Sequence, residues 1–291
     1  LCPRNPRLPA AITSAIRNDF PALKGMVYLD TSSSAPPPVA VIERIRDYYE
    51  NSPVNAGVKV AEGVYYGATA EIVDRVTGWA TSAREDLAKM IGAESAGEIV
   101  FTKNTSDAIN VVAMGYPFKA GDEVIVTDVE HQSDIIPWLH VARQKSVGVR
   151  VVKGSAEGVI DPADVRRAIT DKTALIATAY ITNIFGTIQP VEEIGRIARE
   201  RGVAYFVDGA QVGGRFPVDV GKMGCDYLSL CGRKALCGPQ GISVLYGRKE
   251  ALERLSPHAI GGRSARLLDL ETLEYELSPV PFRFETGNNN N

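Results

Sequence analysis

The sequence predicts an α/β protein in which a mostly parallel sheet is flanked by helices. Seven short apolar runs, each nearly continuous, alternate with stretches of helical periodicity. Strands covered on both faces require such runs, because neither face meets water. Strand and helix in alternation place ligand-binding loops at the carboxyl ends of the strands, so function is sought just after each one.

The strands are predicted at Glu98 to Thr102, Glu123 to Thr127, Val149 to Val152, Ala174 to Ala179, Ala204 to Val207, Asp226 to Cys231 and Ile242 to Tyr246. Three helical patterns lie between or before them. The first sets Ile72, Val76, Trp79, Ala83 and Leu87 on one face and stops at Gly92. The second opens at "DPADVRRAI" with Asp161 as N-cap and Pro162 at the first helical position, and the third, "VEEIGRIARERG", stops at Gly202.

Composition bounds the class of function. The chain has 291 residues, 45% hydrophobic and 23% charged, enough for one large or two smaller domains. Its 32 basic and 35 acidic residues give a formal charge of -3 with no block of like charges, so neither a nucleic-acid nor a membrane partner is expected. Small molecules are the expected ligands. No apolar run reaches the roughly 18 residues of a membrane span, and "LCPRNPRLPAAITSAIRNDF" has no signal-peptide core, which predicts a cytoplasmic protein. Of the four cysteines, Cys225, Cys231 and Cys237 are spaced by six rather than in CxxC pairs. They read as reduced core thiols, and no metal site is predicted.

Five strand ends carry unusual polar residues. Thr105 and Ser106 in "KNTSDAIN" open a helix beside free backbone N–H groups, which is an anion site in chemical terms and also the pattern of a plain N-cap. His131 follows the next strand, in "DVEHQSD"; a lone histidine there also serves as a hydrogen-bonded structural residue. Asn183 in "TNIFGT", and Asp208 and Gln211 in "VDGAQ", are each compatible with ordinary turns. Lys234, in "SLCGRKALCGPQG", is harder to dismiss. Lysine is costly to bury, and this one sits between two apolar strands in a loop rich in glycine. A lysine amine, a carboxylate, a flat partner and hydroxyls at a helix start are together what pyridoxal 5'-phosphate requires: an imine partner, a group that keeps the pyridinium protonated, and a phosphate cradle.

The ordered motifs "VYLDTSSSAPPP", "KNTSDAIN", "EHQSDIIPW", "TNIFGT", "VDGAQ", "GRKALCGPQGISVLYG" and "FRFETG" resemble those of PLP-dependent class V aminotransferase-like enzymes, most closely the cysteine desulfurase and selenocysteine lyase branch. The resemblance spans about Val27 to Gly287. It implies the PLP-dependent transferase fold of type I: a large domain on a mixed, mostly parallel seven-stranded sheet, in a homodimer whose loop around Gly261 and Gly262 meets the other subunit. It implies that Lys234 forms the internal aldimine and later moves protons at the substrate alpha carbon. Asp208 is then the partner of the pyridine nitrogen and His131 stacks on the ring. Asn183 and Gln211 approach the phenolic oxygen, with Asn183 also near the substrate carboxylate. Thr105 and Ser106 hold the phosphate.

Three departures qualify the resemblance. At the lysine, desulfurases usually have Ser-x-His-Lys, whereas this chain has Cys231, Gly232, Arg233 and Lys234. Cys231 thereby becomes a weak thiol donor at the phosphate. Arg233 offers a charged fork in compensation, and its charge favours a neutral Lys234 amine. The segment "NAGVKVAEGVYYGAT" replaces a histidine-rich substrate loop, and the chain ends in "NNNN" where the family continues into a small domain. The expected organisation is an N-terminal helical arm over residues 1–24, a PLP-binding large domain over 25–287 and an uninterpretable tail at 288–291, with the small C-terminal domain missing. The expected activity is cleavage of a carbon–sulfur or carbon–selenium bond in a small amino acid, with a sulfur-acceptor protein as a further partner. Class V aminotransferase or isopenicillin N epimerase-like chemistry is the alternative, and an inactive PLP-binding scaffold the second.

Overall fold

The computed structural model describes residues 15–56, 59–61, 64–65 and 70–287. The expected tail at 288–291, most of the expected arm at 1–24 including Cys2, and much of "NAGVKVAEGVYYGAT" lie outside the described residues. Two small antiparallel pairs, β1 (Lys59–Ala61) with β2 (Val64–Tyr65) and β10 (Ala265–Asp269) with β11 (Glu274–Leu277), stand apart from the main sheet. That sheet comprises β3 (Ile99–Thr102), β4 (Glu123–Thr127), β5 (Gly148–Val152), β6 (Thr173–Ala179), β7 (Ala204–Asp208), β8 (Tyr227–Cys231) and β9 (Ser243–Gly247). Each of the seven lies within one residue of its expected ends.

The order across the sheet is β3-β9-β8-β7-β6-β4-β5, and only β9 runs against the rest. Mixed and mostly parallel is therefore the observed topology. The helices are α1 (Val39–Asn51), α2 (Ala70–Ile91), α3 (Thr105–Gly115), α4 (Gln132–Lys145), α5 (Pro162–Ala168), α6 (Val191–Arg201), α7 (Val220–Met223) and α8 (Lys249–Glu253). They cover both faces of the sheet and create two apolar cores. On one face Tyr205, Val207, Leu228 and Leu230 pack with Ile91, Val165, Ile194 and Met223; on the other Phe206 and Tyr227 pack with Ile109, Val112, Trp138 and Leu252. Alternate strand residues thus point to opposite cores, which is why the strands read as continuous apolar runs.

Local chemistry fixes the helix ends as expected. Asp161 caps α5 by accepting from Ala163 N at 2.8 Å, and Gly92 and Gly202 take positive φ (+70° and +66°) after α2 and α6.

The face of α2 differs from the expected one. Ala83 is exposed, and the buried stripe is Val73, Val76, Arg84, Ala88 and Ile91. The reason is an ion pair invisible to apolar periodicity: Arg84 Nη1 and Nη2 donate to Glu285 Oε1 and Oε2 at 2.8 and 3.0 Å. Arg84 also donates to the Ile99 carbonyl and lies 4.4 Å from the Phe101 ring centroid, while Phe101 N donates to Glu285 at 2.8 Å. Satisfied on all sides, the arginine enters the core where a helix normally presents an aliphatic residue.

Candidate active site

The carboxyl ends of β3, β4, β6, β7 and β8 lie along one edge of the sheet, and β9, being antiparallel, begins there. The loops after these ends enclose a cavity of about 460 Å³. Thr105, Ser106, His131, Asn183, Asp208, Gln211, Cys231, Arg233 and Lys234 all line it. The separate strand-end residues of the sequence therefore meet in one place.

Asn104, not Thr105 or Ser106, is the N-cap of α3, its side chain accepting from Asp107 N at 2.9 Å. Asn104 O accepts from Ala108 N, and Asp107 Oδ2 accepts from Lys103 N. The amides of Thr105 and Ser106 are left without a partner among the described residues. A helix start whose first N–H groups face a cavity attracts an anion through those groups and the helix dipole.

His131 is the N-cap of α4, with Nδ1 accepting from Ser133 N at 3.0 Å. It serves both roles considered for it, since a bonded, structurally fixed ring also lines the cavity. Accepting at Nδ1 leaves the ring proton of neutral His131 on Nε2. Asn183 lies exposed in a tight turn that Gly186 N closes onto Thr182 O at 3.0 Å.

Asp208 ends β7 and is buried. Its Oδ1 accepts from Ala210 N at 2.9 Å and from Ser229 Oγ at 3.0 Å, leaving Oδ2 without a partner among the described residues. Burial pushes its carboxyl above the usual range, against the opposing pull of those two hydrogen bonds and of the Lys234 and His131 charges. Such a carboxylate is poised to pair with a cation.

Lys234 is half-buried in the loop joining β8 to β9. Burial depresses its pKa, opposed by Cys231 and Asp208 and assisted by Arg233 and Arg215. Two glycines let the loop close on itself. A Cβ on Gly232 would lie 2.4 Å from the Ile242 carbonyl oxygen, and one on Gly238 3.1 Å from that of Gly232. Cys231 is buried at the end of β8, Cys225 is buried just before that strand with its thiol pushed up to about 12 by desolvation, and Cys237 is half-buried.

A strap formed by residues 31–35 was not legible as part of the site. Gln211 Nε2 donates to Ser32 O at 3.0 Å, Arg215 Nη2 to Thr31 Oγ1 at 3.3 Å, and Arg233 Nη1 to Ser33 O, while Ala35 N donates to Arg233 O at 2.9 Å. The sequence signal was only "DTSSSAPPP", whose small polar residues let the backbone approach. With its amide nitrogen turned to the strap, Gln211 holds a buried Oε1 that lacks a partner among the described residues.

The family model described as aminotransferase class-V matches residues 27–291. The chain belongs to the aminotransferase class-V family. A probable cysteine desulfurase of Methanothermobacter thermautotrophicus is 40% identical over 275 residues, which are 94% of this chain and 66% of that protein. A cysteine desulfurase of Dickeya dadantii is 35% identical, again across 94% of this chain and 66% of its own length. Among solved structures, the apo cysteine desulfurase of Thermococcus onnurineus NA1 aligns with a TM-score of 0.87 at 34% identity, covering 98% of this chain and 68% of that one. The chain thus spans about two thirds of the length of the relatives it matches.

Class-V enzymes depend on pyridoxal 5'-phosphate, and the residues present fit that group. An amine with a depressed pKa, an unpaired carboxylate oxygen, two unpaired helix-start amides and the orphaned Gln211 Oε1 all belong to one cavity.

Proposed function

We propose that the protein carrying this chain is a cysteine desulfurase-like enzyme, cleaving a carbon–sulfur or carbon–selenium bond in a small amino acid. The observation that carries this reading is the convergence of Lys234, Asp208 and the open start of α3 on one cavity. The 35–40% identity to proteins named cysteine desulfurase supports it.

Bound pyridoxal phosphate supplies an aldehyde for amines and an electron sink for charge developing at the substrate alpha carbon. Thr105 and Ser106 bind the phosphate through their amides and hydroxyls. Arg233 adds a charged donor there, and the Cys231 thiol a weak one. Asp208 would keep a proton on the ring nitrogen, and its bonds from Ala210 and Ser229 hold its carboxylate in one orientation. His131 would pack against the ring, and Asn183 would reach the ring oxygen and the substrate carboxylate; Gln211, whose Nε2 is given to Ser32 O, would reach the ring oxygen as a donor once its amide turned over. Lys234 would hold the cofactor and would serve as the base and acid at the substrate alpha carbon, a task suited to an amine whose pKa is depressed.

In this reading residues 25–287 belong to one PLP-binding unit, and the protein works in the cytoplasm as a homodimer that meets its other subunit around Gly261 and Gly262. A sulfur-acceptor protein receives the product. The test is incubation of the cofactor-loaded protein with cysteine and a dithiol acceptor. One alanine formed per sulfur released is expected. Formation of a keto acid or a D-amino acid would instead favour aminotransferase or epimerase chemistry, which the Cys231-Gly232-Arg233 departure leaves as the second reading.

A further inference from the structure

Glu130 and Asp134 flank His131 in the turn from β4 to α4, yet neither lines the cavity. Both are buried, Asp134 completely. One oxygen of each is satisfied: Glu130 Oε1 accepts from Thr127 Oγ1 at 2.5 Å, and Asp134 Oδ1 from Trp138 Nε1 at 3.0 Å. The other oxygens, Glu130 Oε2 and Asp134 Oδ2, are buried without a donor among the described residues. The two side chains lie within hydrogen-bonding reach of each other. Two ionised carboxylates cannot bond, since both only accept, and leaving such oxygens dry beside a second carboxylate is costly. A single proton turns the pair into donor and acceptor and satisfies both orphans.

We propose that Glu130 and Asp134 share one proton as a buried acid pair, which clamps the turn carrying His131 and supplies one fixed negative charge behind Asp208. Desolvation is the main cause raising both carboxyls and the Asp208 charge adds to it; hydrogen bonds from Thr127 to Glu130 and from Trp138 to Asp134 oppose this only in part, and Glu130 comes to about 7. The titratable groups near the pair are Asp208 and Tyr205 on β7, the Tyr205 hydroxyl being bonded to Thr178 at 2.7 Å, and His131, which lies in the turn between Glu130 and Asp134 and lines the cavity. Asp208 and Tyr205 bring no positive charge that could replace the proton. Glu130 and Asp134 are thus positioning residues acting through His131 and Asp208. The inference does not rest on the reaction proposed above, because it is readable in cofactor-free protein.

The sign of the effect follows from linkage. An unfolded carboxyl titrates near 4, so between about pH 5 and 7 folding takes up the shared proton. Stability from the pair is complete below the unfolded value and is lost as pH rises through the folded one. Urea unfolding of cofactor-free wild type, Glu130→Gln and Asp134→Asn across this range measures it. Each amide donates an N–H to the remaining carboxylate and needs no proton. The folding constant of wild type relative to either variant is expected to fall roughly tenfold per pH unit. Parallel pH dependences would overturn the shared proton. Should a variant not fold, the infrared spectrum of wild type decides: a buried protonated-carboxyl stretch at pH 6 is expected, and its absence overturns the proposal. The clamp is read separately from the His131 imidazole resonance, expected to follow the pair's titration in wild type and to lose that step in Glu130→Gln; an unchanged profile would remove the positioning role.

Discussion

Arg84 and Glu285, 201 residues apart in the chain, form a two-pronged ion pair in the protein interior, with side-chain exposures of 9% and 0%. The pair joins α2 to the segment following β11 and holds the start of β3 between them through Ile99 and Phe101. Removing one partner strands a buried charge. Arg84→Ala and Glu285→Ala are each expected to lower stability by about 3–5 kcal/mol, measured by urea unfolding. The double replacement Arg84→Met with Glu285→Leu should recover most of that loss, because it removes both charges and keeps the volume. Additive losses in the double variant would mean that packing, not charge, is what the pair contributes.

Borohydride treatment of cofactor-loaded protein is expected to fix the cofactor to one peptide, the one containing Lys234. Lys234→Ala should abolish both this fixation and any chemistry on amino acids. Mass spectrometry of the digest checks it, and label on another lysine of folded, saturated protein would remove the basis of the proposed function.

The depressed pKa of Lys234 has a pH signature. Only the neutral amine attacks an aldehyde, so the rate of cofactor capture by the apo-protein should rise with pH and level off below the pH at which an ordinary lysine would. Because the Arg233 charge helps to lower that pKa, Arg233→Gln should move the midpoint to higher pH. An unmoved midpoint in stopped-flow absorbance would leave the shift to burial and Arg215.

Arg233→Ala should also weaken cofactor affinity by roughly tenfold or more, the loss expected for about 1.5–3 kcal/mol of charge-assisted hydrogen bonding. One guanidinium nitrogen already serves Ser33 O, so Arg233→Lys, which keeps the charge and loses the fork, separates the two tasks. Equal affinities for wild type and the alanine variant in an equilibrium titration would leave Arg233 as an anchor of the strap alone.

Replacing Asp208 with Ala is expected to slow turnover far more than it weakens cofactor binding, since the ring nitrogen then loses its proton. Ser229→Ala, which removes the 3.0 Å bond to Asp208 Oδ1, should give a smaller loss in the same direction. A full rate in Asp208→Ala would reduce that carboxylate to a turn residue.

The seven strands were legible because burial on both faces forces unbroken apolar runs, and the site residues because parallel strands present their ends on one edge. What escaped was polar burial. Periodicity placed Ala83 on the inner face of α2 because an arginine normally counts as solvent-facing, and the Glu285 partner that changes this lies near the other end of the chain. The cap of α3 went to Asn104 although Thr105 and Ser106 have equally suitable side chains, since only backbone geometry decides which residue stands outside the first turn. Glu130 and Asp134 in "EHQSD" carry no local signal of burial, because nothing nearby in the sequence reveals that Thr127, Trp138 and β7 close over them.

The strap of residues 31–35 carries a consequence for the order of folding. Its bonds to Gln211, Arg215 and Arg233 span 179, 184 and 200 residues. Contacts so distant in sequence close large loops, and their entropy must be offset by structure already formed, so they come after the local pairing of β8 with β9 and the parallel steps of the central sheet. Amides in the sheet are therefore expected to gain protection from hydrogen exchange before those of the strap. During that interval the chain has its strands and its lysine loop, while the rim that holds Gln211 and Arg233 in place has yet to be laid down.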